Sequence, residues 1–265
     1  MHRFSVENAL VLVTFRKTSR TAVSITLWEQ PMKKFLFDLF KSFTLFELLL
    51  WLSSLAVITA SSLRSGKVGP LALVASLLGV TALIFVAKGY VAGQILVIAF
   101  ALLYGAVSFF ESYYGEMITY IGMSLPMAAV ATVSWIRHPH RETKSVEIYR
   151  MKGREVALIA LSTVAVTVAF YFILAALDTS ELLVSTVSVA TSFFASMLVF
   201  FRSPYYGAAY ALNDIVLIVL WLLAAFRDIS SLPMVFCFLM FLLNDIYGTV
   251  NWLRMQKAQE KNQKP

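Results

Sequence analysis

LPMVFCFLMFLLNDIYGTVNWLRM, residues 232–255, is the run whose reading decides the fold. About 20 apolar residues suffice for a helix to cross a bilayer. This run is long enough, yet Asn244 and Asp245 sit near its middle, followed by Tyr247, Gly248 and Trp252. An amide and a carboxylate at that depth are costly unless something compensates them. At roughly 100° per residue, Asn244, Gly248 and Trp252 stack on one helix face, with Tyr247 and Asn251 beside them. Lipid offers such a stripe no partner, so it is expected to face into a bundle and to line the path of whatever the protein handles.

The rest of the chain shares this character. It is 59% hydrophobic, with a mean hydropathy of +0.77, against about 45–50% apolar residues in soluble domains. Only 14% of residues are charged, too few for a water-facing surface, which takes about 25%. These values define an all-α polytopic membrane protein. The net charge of +7 does not mark a nucleic-acid binder, because the basic residues cluster at the ends of apolar runs, where they signal topology. The single cysteine, Cys237, lies inside an apolar run, which leaves no disulfide framework and no thiolate metal cluster. The apolar run at 9–15 is short and lacks a small-residue cleavage site, so no cleavable signal peptide is expected. His2, His138 and His140 all fall in polar segments, and neither Gly-x-Ser-x-Gly nor His-Glu-x-x-His occurs. An enzyme is therefore not expected, nor a cofactor, a metal or nucleic acid.

Taken in order, residues 1–42 read as a cytosolic or interfacial segment, with 32–42 as a helix lying in the membrane interface. Eight spans follow, at about 43–63, 70–88, 91–110, 114–135, 155–177, 182–201, 207–226 and 232–252, with a cytosolic tail at 255–265. The one long connection is the basic loop 137–154. With the N-terminus inside, 19 of the 22 Lys and Arg fall on the cytosolic side and only Arg64, Lys67 and Arg227 outside, so both termini are expected in the cytosol.

The eight spans contain a repeat. A shift of 117 residues lays Ser134-Trp135-Ile136-Arg137 on Asn251-Trp252-Leu253-Arg254, and a shift of 114 lays Lys88 on Arg202 and Gly93 on Gly207. Spans two to four (70–137) and six to eight (182–254) then form two three-helix units joined by the single span 155–177. An odd linker keeps the two units in the same orientation. This is a parallel 3+1+3 repeat of the SWEET-like kind, with 43–63 as an extra leading helix and the substrate site expected near mid-depth between the units.

A second Asn-Asp pair lies at Asn213-Asp214 in the seventh span, followed by Trp221. The first unit offers Gln94, Tyr104, Glu116 and Tyr120, with a kink expected at Pro126. Such groups can simply bond helix to helix. Two Asn-Asp pairs, each with an aromatic ring seven or eight residues on, instead suggest a lined cavity. Its acids, amides and rings include no Lys or Arg at depth, so a phosphorylated ligand is disfavoured. A flat cation with hydroxyl groups suits it, held by cation–π contact and amide hydrogen bonds. Asp214 and Asp245 could alternatively carry protons.

Three stretches carry a family resemblance: Tyr113-Tyr114-Gly115-Glu116-Met117-Ile118, Asn213-Asp214 with Trp221, and Asn244-Asp245-x-Tyr247-Gly248-x-x-x-Trp252. With Gly93-Gln94-Ile95-Leu96 and Leu103-Tyr104-Gly105, they make residues 43–256 resemble the PnuC-type vitamin B3 transporters. The resemblance implies a SWEET-like fold in the plasma (inner) membrane and facilitated uptake of nicotinamide riboside, which a cytosolic kinase then phosphorylates and traps. Relatives in that family carry other vitamins or nucleosides, such as thiamin. A homo-oligomer is expected, with a trimer as one form. The substrate contacts expected on this basis are Gln94, Tyr104, Glu116, Tyr120, Asn213, Asp214, Trp221, Asn244, Tyr247 and Trp252.

Overall fold

The computed structural model describes residues 42–66, 69–110, 114–140, 143–179 and 181–262. The expected interfacial helix at 32–42 therefore lies outside the described residues, apart from Ser42. Among the described residues, eight helices are long and apolar enough to span a membrane: α1 Leu45–Ser65, α2 Pro70–Ala87, α3 Val91–Phe110, α4 Tyr114–Arg137, α5 Gly153–Ala176, α6 Leu182–Phe200, α7 Tyr206–Arg227 and α8 Leu232–Asn262. The chain divides into units Met1–Leu49 and Leu50–Pro265. In the first, Thr44 and Glu47 cap the start of α1 reciprocally: Thr44 N–H donates to Glu47 Oε2 (2.6 Å) and Glu47 N–H to Thr44 Oγ1 (3.2 Å). All that follows concerns the second unit.

Helix limits follow local chemistry. Pro70 starts α2, where its missing N–H is not needed. α5 begins two residues earlier than its apolar run, because Glu155 Oε2 accepts the Lys152 N–H (2.7 Å) and Oε1 accepts the Tyr149 hydroxyl (2.8 Å). α8 runs about ten residues past its apolar stretch, since Gln256, Lys257, Ala258, Gln259 and Glu260 are all good helix formers. That extension is anchored by Gln259, which accepts the Ile148 N–H and donates to Val146 O, so residues 146–148 are held against it. The kink expected at Pro126 takes the form of a π-helical stretch, Thr119–Ser124, immediately before the α-helix that holds this proline. An added residue in the turn relieves the clash a proline ring makes with the preceding carbonyl.

The packing is consistent with two parallel three-helix units. α2 packs on α3 and α3 on α4; α6 packs on α7 and α7 on α8; the units meet where α8 contacts α2 and α4 contacts α6. The helix ends repeat bond for bond. After α2, Gly89 N–H donates to Val86 O (2.8 Å) and Tyr90 N–H to Phe85 O (3.0 Å); after α6, Arg202 N–H donates to Val199 O (2.9 Å) and Ser203 N–H to Leu198 O (2.9 Å). Both turns need a left-handed residue, supplied by Gly89 (φ 69°) and Arg202 (φ 56°). At Arg202 the strain of about 1 kcal/mol is offset by its buried guanidinium, which donates to Ser134 Oγ (2.8 Å) and Glu147 O (3.0 Å).

Two tryptophans lock the units to each other. Trp135 at the end of α4 donates to Val199 O of α6 (2.9 Å), and Trp252 of α8 donates to Val86 O of α2 (2.9 Å). The rings meet at 5.3 Å, with Tyr206 packed edge-on to Trp252 at 4.6 Å.

α3 lies so close to α2 that a Cβ on Gly93 would fall 2.5 Å from Val86 N, a backbone atom that cannot give way. Gly93→Ala is therefore expected to destabilise the protein by about 1–3 kcal/mol, read as a lowered unfolding temperature in detergent. An unchanged transition would mean the two helices are not in backbone contact.

Candidate functional site

A hollow of about 110 Å³ lies between the two three-helix units. Each of their six helices contributes lining residues, whereas α1 and α5 contribute none among the described residues. That distribution is consistent with two three-helix units facing each other across a shared space, the leading and linking helices staying outside it.

The polar lining comes from every side. Gln94 enters from α3, Tyr120 from the π-helical stretch of α4, and Ser192 and Ser196 from α6. α7 adds Tyr210, Asn213 and Asp214, and α8 adds Asp245. Phe100, Phe238 and Phe241 supply apolar walls. The lining is also pre-oriented. Asn213 Oδ1 accepts the Thr191 hydroxyl (2.8 Å), which turns its NH₂ away from α6. The Tyr210 and Ser196 hydroxyls are hydrogen-bonded at 2.8 Å. Asp214 and Asp245 hydrogen-bond to each other across the α7–α8 contact, and both are only 3% exposed. Among the described residues no Lys, Arg or His lines the hollow.

The expected contact residues divide into three groups. Gln94, Tyr120, Asn213 and Asp214 line the hollow together. Tyr104 stands one layer back, its ring 4.4 Å from that of Tyr120, where it fixes the lining tyrosine. Glu116 and Trp221 line an outer hollow of about 250 Å³ with Thr179, Glu181 and Arg227, the last two ion-paired. A small middle chamber of about 30 Å³ shares Glu116 and Thr179 with the outer hollow, and Tyr120, Ser192 and Asn213 with the deep one. Shared walls thus set the three spaces in series.

Asn244, Tyr247 and Trp252 do not line the hollow. Asn244 donates from α8 to Ser54 Oγ of α1 (3.1 Å) and to Met240 O (2.7 Å). Farther along the same stripe, Asn251 donates to Ala87 O (2.8 Å) and Trp252 to Val86 O. The stripe does face into the bundle, as its polarity requires, but it bonds helix to helix. The side of α8 that meets the hollow is Phe238, Phe241 and Asp245. Adjacent helical residues diverge by roughly 100°: in α8 this puts Asp245 in the lining and Asn244 against α1, whereas in α7 the hollow is broad enough for both Asn213 and Asp214 to line it. In α7 the spacing 206, 210, 213, 217 marks the lining face in the sequence itself; in α8 both candidate faces carry a polar residue and rings, and nothing local chooses between them.

Six of the eight apolar helices enclose a hollow lined by carboxyl, amide and aromatic side chains, the arrangement of a multi-pass membrane transporter. The chain belongs to the nicotinamide mononucleotide transporter family, whose model matches residues 69–254. Over 265 residues it is 27% identical to the nicotinamide riboside transporter PnuC of Neisseria mucosa, covering 97% of both chains. Its fold resembles a crystal structure of the vitamin B3 transporter PnuC, with a TM-score of 0.72, 27% identity, and coverage of 84% of this chain and 96% of that one.

Proposed function

We propose that this protein takes up nicotinamide riboside through the deep hollow, by facilitated diffusion, with the two three-helix units (70–137 and 182–254) rocking about the linker 155–177. The observation that carries the reading is the lining itself: carboxyls, amides and aromatic rings with no fixed cation. A pyridinium finds rings and acids there, and ribose hydroxyls find Gln94 and Asn213. A phosphate would find no Arg or Lys to replace its water. This favours the riboside over the mononucleotide for which the family is described. The name of the Neisseria relative supports the same substrate.

In this reading both termini lie in the cytosol, the outer hollow opens to the outside of the plasma (inner) membrane, and the Trp135–Trp252 contact closes the cytosolic side. A cytosolic riboside kinase would then keep the gradient inward, and the chain would act as a homo-oligomer. Uptake of labelled riboside into liposomes containing the purified protein is the test. Uptake is expected to follow the riboside gradient and to persist when a proton gradient is collapsed. No uptake above empty liposomes would overturn the reading.

Binding should also order the ligands. Nicotinamide riboside is expected to bind at least about tenfold more tightly than its 5′-phosphate, since burying a charged phosphate without a cation to balance it is strongly unfavourable. A titration that includes thiamin completes the comparison; tighter binding of thiamin or of the phosphate would reassign the substrate.

A further inference from the structure

The Asp214–Asp245 contact is an unusual thing to find in a wall that carries no cation. An ionised carboxylate only accepts hydrogen bonds. Two carboxyl groups bonded to each other must therefore hold at least one proton between them. The surroundings make the same demand. Both groups are 3% exposed. The titratable groups that face them are Tyr206 and Tyr210 of α7, Tyr120 of α4 and Cys237 of α8, all of them neutral when protonated. α2, α3 and α6 face the hollow with Gly79, Gln94, Ser192 and Ser196, none of which titrates. Two full negative charges in contact, with no positive neighbour, would repel strongly at this depth. Asp214 Oδ2 is buried and makes no hydrogen bond, although its residue lines the hollow.

We propose that Asp214 and Asp245 share one proton and so present a single negative charge to the hollow, which selects ligands carrying one positive charge. The inference rests on the riboside reading above and adds what sets its selectivity. The free Oδ2 of Asp214 is the acceptor left to meet the ligand, while the shared proton keeps the second carboxyl from adding a charge the ligand cannot balance. Gly207 lets α7 approach α8 closely beside Asp245: a Cβ there would lie 2.5 Å from Asp245 O.

A pair of probes of nearly the same shape separates charge from fit: nicotinamide riboside, a pyridinium cation, and its uncharged 1,4-dihydro form. The protein is expected to bind the cation at least about tenfold more tightly. Asp245→Asn replaces the shared O–H with an amide donor and leaves Asp214 as the one anion, so its preference should match that of the unaltered protein within about threefold. The double variant Asp214→Asn/Asp245→Asn carries no charge and should bind the two forms equally. Equal binding of both forms by the unaltered protein would overturn the proposal, as would a single variant that loses as much cation preference as the double one. Should the variants not fold, Asp214→Asn replaces Asp245→Asn, and the comparison in the unaltered protein still decides whether charge is read at all. If neither form binds, the riboside assignment itself fails and this inference with it; if both bind equally, the assignment survives and only the charge selection is lost.

Discussion

Asn213→Ala is expected to lower riboside uptake by about ten- to a hundredfold while leaving the unfolding temperature nearly unchanged, and Asn244→Ala to leave uptake within about twofold. The two residues occupy equivalent-looking Asn-Asp pairs, so the contrast comes from placement. Asn213 lines both the deep hollow and the chamber outside it, with its amide turned by Thr191. Truncation removes that amide from the path. The fold tolerates this because the Thr191 hydroxyl also reaches Val187 O and Ser188 O. Asn244 is 1% exposed and bonds α8 to α1 through Ser54. Its loss should appear as a stability change of about 1 kcal/mol, the usual scale of such bonds in membranes. Uptake kinetics and thermal unfolding of each variant separate the two roles. An Asn244→Ala protein that folds normally but no longer takes up riboside would return Asn244 to the site.

Trp252→Ala should be among the most destabilising single changes, at about 3–5 kcal/mol. Its ring is fully buried and wedged between Trp135 and Tyr206, and its Nε1 donates across the unit boundary to Val86 O. The Val86 carbonyl keeps the Gly89 N–H as a partner, so most of the loss is packing. Trp252→Phe, which keeps a ring but drops the donor, should then cost only about 1 kcal/mol of hydrogen bonding plus some repacking. Trp135→Ala should cost a similar amount to Trp252→Ala, and the double variant less than the sum, because each ring is part of the other's surroundings. Thermal unfolding in detergent is the measurement. Additive effects of the two truncations would show that the rings do not support each other.

The reach of local pattern is clearest at the helix ends. Arg202 and Lys88 were aligned by a shift of 114, while the structure pairs Arg202 with Gly89 through identical turn bonds. The sequence comparison was off by one because it matched charge, whereas the turn is set by the left-handed residue. Likewise Trp135 and Trp252 matched at a shift of 117, and that match marked a real equivalence in which each tryptophan bonds to the opposite unit.

Hydropathy and spacing by themselves determined eight helices long and apolar enough to span a membrane, and they pointed to Gln94, Tyr120, Asn213 and Asp214, which the structure gathers at one hollow. These follow from the length of apolar runs and from the cost of polar groups in lipid, both of which are local properties. Only the tertiary structure decided which flank of α8 meets the hollow, because a polar residue in a membrane helix is satisfied equally by a cavity or by a neighbouring helix. At Asn244 the neighbour was Ser54, 190 residues away, and one step along the same helix Asp245 found Asp214 instead.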